Sequence, residues 1–155
     1  METILIVEDN RAYARTTANW LLKNGINARY VLSVDAAKVF LGSHEVDLVL
    51  SDFLLNDSNG VELLEWMKAQ GYCMPFLIMT GYGDILGAVE AVKKGAADYL
   101  PKPVQTEEVL GIIRRLLDCS NRKKVVERAF YVGKSPLAVK LQDIVRCCVS
   151  IRPVR

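Results

Sequence analysis

Histidine is nearly absent from this chain, and aromatic residues make up only 8 % of it. The one histidine, His44, has no cysteine close to it in sequence, which argues against a zinc site of the usual nitrogen and sulfur ligands. None of the four cysteines, Cys73, Cys119, Cys147 and Cys148, has C-x-x-C spacing. The adjacent pair Cys147 and Cys148 could hardly bond to each other without strain. Four reduced thiols in a cytoplasmic protein are therefore expected. No apolar run is long enough to cross a bilayer. The start lacks the cationic, apolar and small-residue order of a signal peptide. Neither sign of charge dominates: a net charge of +2 gives no reason to expect a nucleic-acid or membrane partner. Repeats and low-complexity tracts are missing too.

What remains is an ordinary globular composition, 51 % hydrophobic and 25 % charged over 155 residues. That length fits one domain plus a modest extension. A chain of this size buries roughly 70 % of its unfolded surface, so it needs no disulfide or metal staple. Through Asp118 two patterns alternate. Short runs rich in Val, Ile and Leu read as strands at Ile4–Val7, Ala28–Val31, Asp47–Ser51, Phe76–Thr80 and Asp98–Leu100. Amphipathic stretches between them read as helices at Asn10–Lys23, Val34–Leu41, Gly60–Gln70, Asp84–Lys94 and Thr106–Leu117. Ser33 and Thr106 are candidate caps, and Gly25, Gly71 and Gly95 are candidate stops. Strict alternation predicts an α/β fold, a doubly wound parallel sheet with helices on both faces. Nearly all-apolar strands agree with burial on both sides.

Open sheets of this kind bind ligands beyond the carboxyl ends of their strands. Four such ends carry chemistry: Glu8-Asp9, Asp52, Thr80 and Lys102. Taken singly, each has a plain explanation. Asp9 would cap the following helix, Asp52 would be an ordinary turn aspartate at the point where a buried strand releases its carboxylate to solvent, Thr80 would end a strand, and Lys102 would be a solvated lysine before Pro103. Brought to one edge, they form a set suited to a divalent cation and a phosphoryl group. An aspartate can attack phosphorus, and magnesium prefers one or two carboxylates together with phosphate oxygens and water. Asp9 and Asp52 would hold Mg2+, with Glu8 direct or through water and the backbone carbonyl near Leu54 completing the protein share. Lys102 and Thr80 would contact phosphoryl oxygens. Clustered carboxylates repel, which raises at least one pKa and favours a cation.

From Met1 to about Asp118 these residues resemble a bacterial response-regulator receiver domain of a two-component system. The acidic pair matches Glu8-Asp9, the phosphoacceptor Asp52, the switch hydroxyl Thr80, the switch aromatic Tyr99, and the Lys-Pro pair Lys102-Pro103. Gly60 lies at the family's distance downstream of the acceptor. The resemblance implies a flavodoxin-like, five-stranded sheet of order 2-1-3-4-5 with five helices, and a cis bond at Lys102–Pro103. It also implies a sensor histidine kinase as phosphoryl donor. The switch would draw Thr80 inward, let Tyr99 rotate, and reshape the face formed by Asp84–Lys94, Asp98–Leu100 and Thr106–Leu117. Asn56 stands where the family has proline. Leu54 and Tyr82 match positions that tune phosphoryl lifetime in the family this chain resembles.

Residues 119–130 read as a linker, possible as a helix or coiled coil, and 131–155 as a truncated start. Tyr131-Val132-Gly133-Lys134-Ser135-Pro136-Leu137 resembles the opening of the AAA+ domain in sigma-54-dependent activators of the NtrC type. The G-x-x-x-x-G-K-[ST] loop is absent, so ATP hydrolysis is not expected of this chain. The resemblance casts the chain as the regulatory piece of a longer activator that engages sigma-54 RNA polymerase and DNA, with no nucleic-acid contact from this piece. Val109, Ile112, Leu116, Cys119, Lys123, Val126 and Phe130 alternate three- and four-residue steps, the seam of a coiled-coil homodimer. The plainer alternative packs the first three on the sheet. Three other classes compete with a phosphoacceptor switch. A haloacid-dehalogenase-type phosphatase needs a second aspartate where Leu54 stands. A flavodoxin-like cofactor site needs a phosphate loop where Glu8-Asp9 would repel phosphate. A receiver-shaped interaction module would not be controlled by phosphorylation.

Overall fold

A computed structural model of the chain describes residues 2–56, 58–81 and 84–131. The strands are β1 (Thr3–Val7), β2 (Asn27–Val31), β3 (Leu48–Asp52), β4 (Phe76–Thr80) and β5 (Asp98–Pro101). The helices are α1 (Arg11–Lys23), α2 (Val34–Ser43), α3 (Gly60–Ala69), α4 (Ile85–Lys93) and α5 (Glu107–Tyr131). All pairs are parallel and the order is β2-β1-β3-β4-β5, as the alternation and the resemblance predicted.

The apolar strands are buried on both faces because successive side chains point to opposite sides. Ile4, Ile6, Leu48, Leu50, Leu77 and Met79 pack with α1 and α5. Leu5, Val7, Val49, Phe76 and Ile78 pack with α2, α3 and α4. Register then fixes where the polar residues fall. Ser51 pairs with both Val7 and Ile78, so Glu8 and Asp52 leave the same edge side by side. Thr80 pairs with Pro101, which sets Lys102 one residue beyond that edge.

Local chemistry explains the helix limits. Asn10 caps α1, its Oδ1 accepting from the Tyr13 amide at 3.1 Å. Ser33 caps α2 through the Ala36 amide, and Thr106 accepts from the Val109 amide at 3.3 Å. After α1 and α3 the chain turns at Gly25 and Gly71, with φ of 80° and 86°, a region that only glycine enters cheaply. The last helix, expected over Thr106–Leu117, runs on as α5 to Tyr131, so 119–130 takes the helical one of its two readings. Its polar stretch from Asp118 contains neither glycine nor proline, so nothing in it stops a helix. The coiled-coil seam is corrected in its first half. Val109 and Leu116 are buried in the α1/α5 core, Ile112 packs against it, and Cys119 is buried. The seam side chains of Lys123, Val126 and Phe130 lie outside the described residues. So do Tyr82, Cys147, Cys148 and the segment 132–155. Among the described residues, no helix is long and apolar enough to cross a membrane.

Candidate functional site

Four strands bring the predicted groups together at the carboxyl edge of the sheet. Glu8, Asp9 and Asp52 each offer a carboxylate oxygen, and these oxygens lie within 4.8 Å of one another. Lys102 Nζ donates to Glu8 Oε2 at 2.7 Å and to Asp52 Oδ2 at 3.0 Å. The bond from Lys102 to Pro103 is cis, as the resemblance implied.

Thr80 does end β4, but the plain explanations of the other three residues fail. Asp9 does not cap α1, because Asn10 does so, and the Asp9 carboxylate stays with the acidic group. Asp52 does not release its carboxylate into solvent; the residue is only 8 % exposed. Lys102 is not a solvated lysine, since its side chain is 25 % exposed and pairs with both carboxylates.

Glu8 carries the strongest electrostatic signature. It is 1 % exposed, and its carboxyl is pushed up from 4.5 to about 7. Burial is the main cause, with the negative charge of Asp52 adding to it. The bonds from Lys102 and from the Asn10 amide, at 3.1 Å, oppose the rise without cancelling it. Repulsion among the carboxylates is thus real but secondary to burial. At Lys102 burial alone would lower the pKa, yet the bonds to Glu8 and Asp52 outweigh it and hold the ammonium above its ordinary range. The lysine therefore stays charged.

Thr80 is 3 % exposed, and its hydroxyl donates to the Gly81 carbonyl at 3.1 Å. Tyr99 is half-buried and packs with the core on the α2/α3/α4 side. Leu54 forms an isolated antiparallel bridge with Asn59 at the loop after β3, and the residue is 55 % exposed. Gly60 closes that loop against β3. A Cβ there would lie 2.6 Å from the Asp52 carbonyl oxygen and 2.9 Å from Ser51 Oγ.

Sequence reasoning missed one neighbour of the site. The Tyr13 ring lies under Lys102, with Nζ 4.7 Å from the ring centroid. Helical periodicity marks Tyr13 only as a residue of α1, and no local signal points across the fold to Lys102.

The donor set fits a small, hard divalent cation. Three carboxylate oxygens converge, no soft ligand is among them, and such ions choose oxygen.

Comparison with known proteins agrees with this geometry. Residues 4–114 match the family model of the response regulator receiver domain. The response regulator protein FleR of Pseudomonas aeruginosa is 37 % identical over 112 residues, covering 72 % of this chain and 24 % of FleR. The transcriptional regulatory protein FixJ of Bradyrhizobium diazoefficiens is 38 % identical over 153 residues, covering 97 % of this chain and 68 % of FixJ. The crystal structure of NtrX from Brucella abortus superposes with a TM-score of 0.75 at 29 % identity, over 83 % of this chain and 30 % of NtrX. The chain thus spans about a quarter of FleR's length.

Proposed function

Because the chain belongs to the response regulator receiver domain family, we propose that it is a phosphorylation-controlled switch with Asp52 as acceptor. The observation that carries this is the convergence of Glu8, Asp9, Asp52 and Lys102 on one small pocket. An Asp52 carboxylate oxygen attacks phosphorus, and the bond from phosphorus to the donor's leaving group breaks with its electron pair. A histidine kinase is the natural donor, breaking a phosphorus–nitrogen bond. Lys102 meets the charge of the incoming phosphoryl oxygens as a point cation, and Thr80 can turn its hydroxyl from the Gly81 carbonyl toward another. Glu8, Asp9, Asp52 and the Leu54 carbonyl would hold Mg2+. The ion supplies neutralisation of phosphoryl charge, the main requirement of such transfers.

The output face is α4, β5 and α5. A new dianion at Asp52 attracts Thr80 and frees space for the half-buried Tyr99. Beyond phosphoryl uptake and its own dephosphorylation the chain has no enzymatic role. In a cytoplasmic, full-length protein of the NtrC type, this face would govern an AAA+ ATPase acting on sigma-54 RNA polymerase at DNA. A homodimer would form through the part of α5 beyond Cys119, because the earlier seam positions serve the core of the same chain. Light scattering on the chain with and without residues 121–130 tests that dimer; equal monomeric masses exclude it.

The acceptor is tested by incubating wild type and Asp52→Ala with acetyl phosphate and magnesium, then measuring intact mass. One phosphoryl addition is expected on wild type, lost in the variant and in chelator. An addition that persists in Asp52→Ala rejects the assignment.

A further inference from the structure

Lys102 has three partners around its ammonium. Two are Glu8 and Asp52, members of the same acidic group that would hold a cation. A divalent ion competes with the ammonium for both. The third partner is the face of Tyr13, whose negative quadrupole attracts a cation within about 6 Å of the ring centre. A neutral ring is no ligand for magnesium, so this contact is the one that a bound ion leaves in place.

Tyr13 is itself held from several sides. Its amide donates to Asn10 Oδ1 in the first turn of α1. Its phenol oxygen accepts from the buried Val104 amide at 3.1 Å. Its carbonyl accepts from Thr17 Oγ1 at 2.9 Å, and that hydroxyl oxygen in turn accepts from Gln105 Nε2 at 2.7 Å. The segment that carries Lys102 is therefore fastened to α1 at two successive residues, 104 and 105. Lysine's four-carbon stem is flexible, and without a fixed surface beneath it the ammonium would wander once its carboxylates were taken.

We propose that Tyr13 is a positioning residue for Lys102. Its ring keeps the ammonium at the pocket while a cation occupies Glu8 and Asp52, and this role does not depend on the bond from the Val104 amide to its phenol oxygen. This rests on the phosphoacceptor function proposed above.

The test uses the full chain with carbon-13-labelled lysine. In wild type the Lys102 methylene protons next to the ammonium lie upfield through the ring current, and they stay upfield when magnesium is added. Tyr13→Phe keeps the ring and the shift; Tyr13→Leu loses the shift. With acetyl phosphate and saturating magnesium, Tyr13→Leu takes up phosphoryl about fivefold more slowly at saturating donor, as loss of an ammonium–ring contact implies. Tyr13→Phe keeps most of the wild-type rate, which separates the ring from a general effect on folding. Lys102 protons that return to ordinary lysine positions when magnesium binds wild type overturn the proposal. So does a wild-type uptake rate in Tyr13→Leu. Failure of wild type to label on Asp52 is a different result: it removes the phosphoacceptor function and this role with it.

Discussion

The two walls of the pocket are fastened differently. On the α1 side the attachments lie just beyond Lys102. Tyr13 takes the Val104 amide and Thr17 takes the Gln105 side chain. Farther along, Arg114 of α5 donates to the Asn24 carbonyl at the end of α1. On the α4 side the attachments lie at the far end. Lys68 of α3 donates to the Lys94 carbonyl at 2.5 Å, and Lys94 pairs with Glu65 at 2.9 Å. The described near end of α4 is held by packing rather than by polar side-chain bonds: a Cβ at Gly87 would run into Cζ of Phe53. Asp84 makes no side-chain cap bond, and Ile85 and Leu86 are 57 % and 84 % exposed. A helix start without a side-chain cap gives up about 1 kcal/mol. Among the described residues, polar bonds thus make the α1 side a fixed jaw near Asp52, while those on the α4 side sit at its distant end. Under the proposed function, charge arriving at Asp52 would move the α4 side, the one that Tyr99 packs against.

Removing the cation of the fixed jaw should have the largest effect. Lys102→Ala should slow phosphoryl uptake about 100-fold, the usual consequence of deleting one preorganised donor to developing charge. Single-turnover labelling followed by mass spectrometry measures it, and a rate within twofold of wild type would mean that the ammonium is a bystander. Gly60→Ala comes next, because it displaces the acceptor relative to the jaw. The new Cβ would meet the Asp52 carbonyl oxygen at 2.6 Å, and that oxygen belongs to backbone that yields little. Destabilisation of about 2 kcal/mol in urea denaturation is expected, as for overpacking elsewhere.

Acid should then weaken cation binding. Glu8 holds its proton up to about pH 7 in the folded, metal-free protein, whereas the unfolded chain releases it near 4.5. The stability associated with this group is thus fully present below 4.5 and lost as pH climbs through about 7. A cation that needs the carboxylate must displace the proton, so magnesium affinity should be about tenfold lower at pH 6 than at pH 8. Calorimetric titration at the two values decides it, and equal affinities would remove Glu8 from the ligand set. The smallest effect belongs to the far pin of α4. Glu65→Ala removes an exposed ion pair that is worth less than about 1 kcal/mol. Global stability should barely change, while amide exchange at the end of α4 should quicken. Faster exchange at Ile85 and Leu86 instead would reverse the assignment of which end is held.

Most of this site is legible in the chain itself. Strand-ending residues such as Glu8, Asp52 and Thr80 stand out because apolar runs of a buried parallel sheet leave nowhere else for polar groups. Lys102 is visible only through its place after the last run; its burial follows from a loop folded back onto α1. Asp9 and Asn10 are adjacent polar residues, and sequence does not say which one caps the helix. The structure gives the cap to Asn10, whose side chain reaches the Tyr13 amide, and so leaves Asp9 for the pocket. Tyr13 is invisible at the level of pattern, since it meets a loop 91 residues away in the chain. The extent of α5 is hidden for a different reason. A polar surface on a helix looks like a linker when the packing that supports its other face, at Leu116 and Cys119, is not in view.

Residue 52 as the sole acceptor can be read directly by chemical trapping. Borohydride reduces an acyl phosphate to the alcohol, so a phosphorylated aspartate becomes homoserine. After labelling with acetyl phosphate and magnesium, peptide mapping should place homoserine at position 52 and nowhere else. Homoserine at position 9 or any other carboxylate, or a labelled protein with residue 52 still aspartate after reduction, would contradict the account.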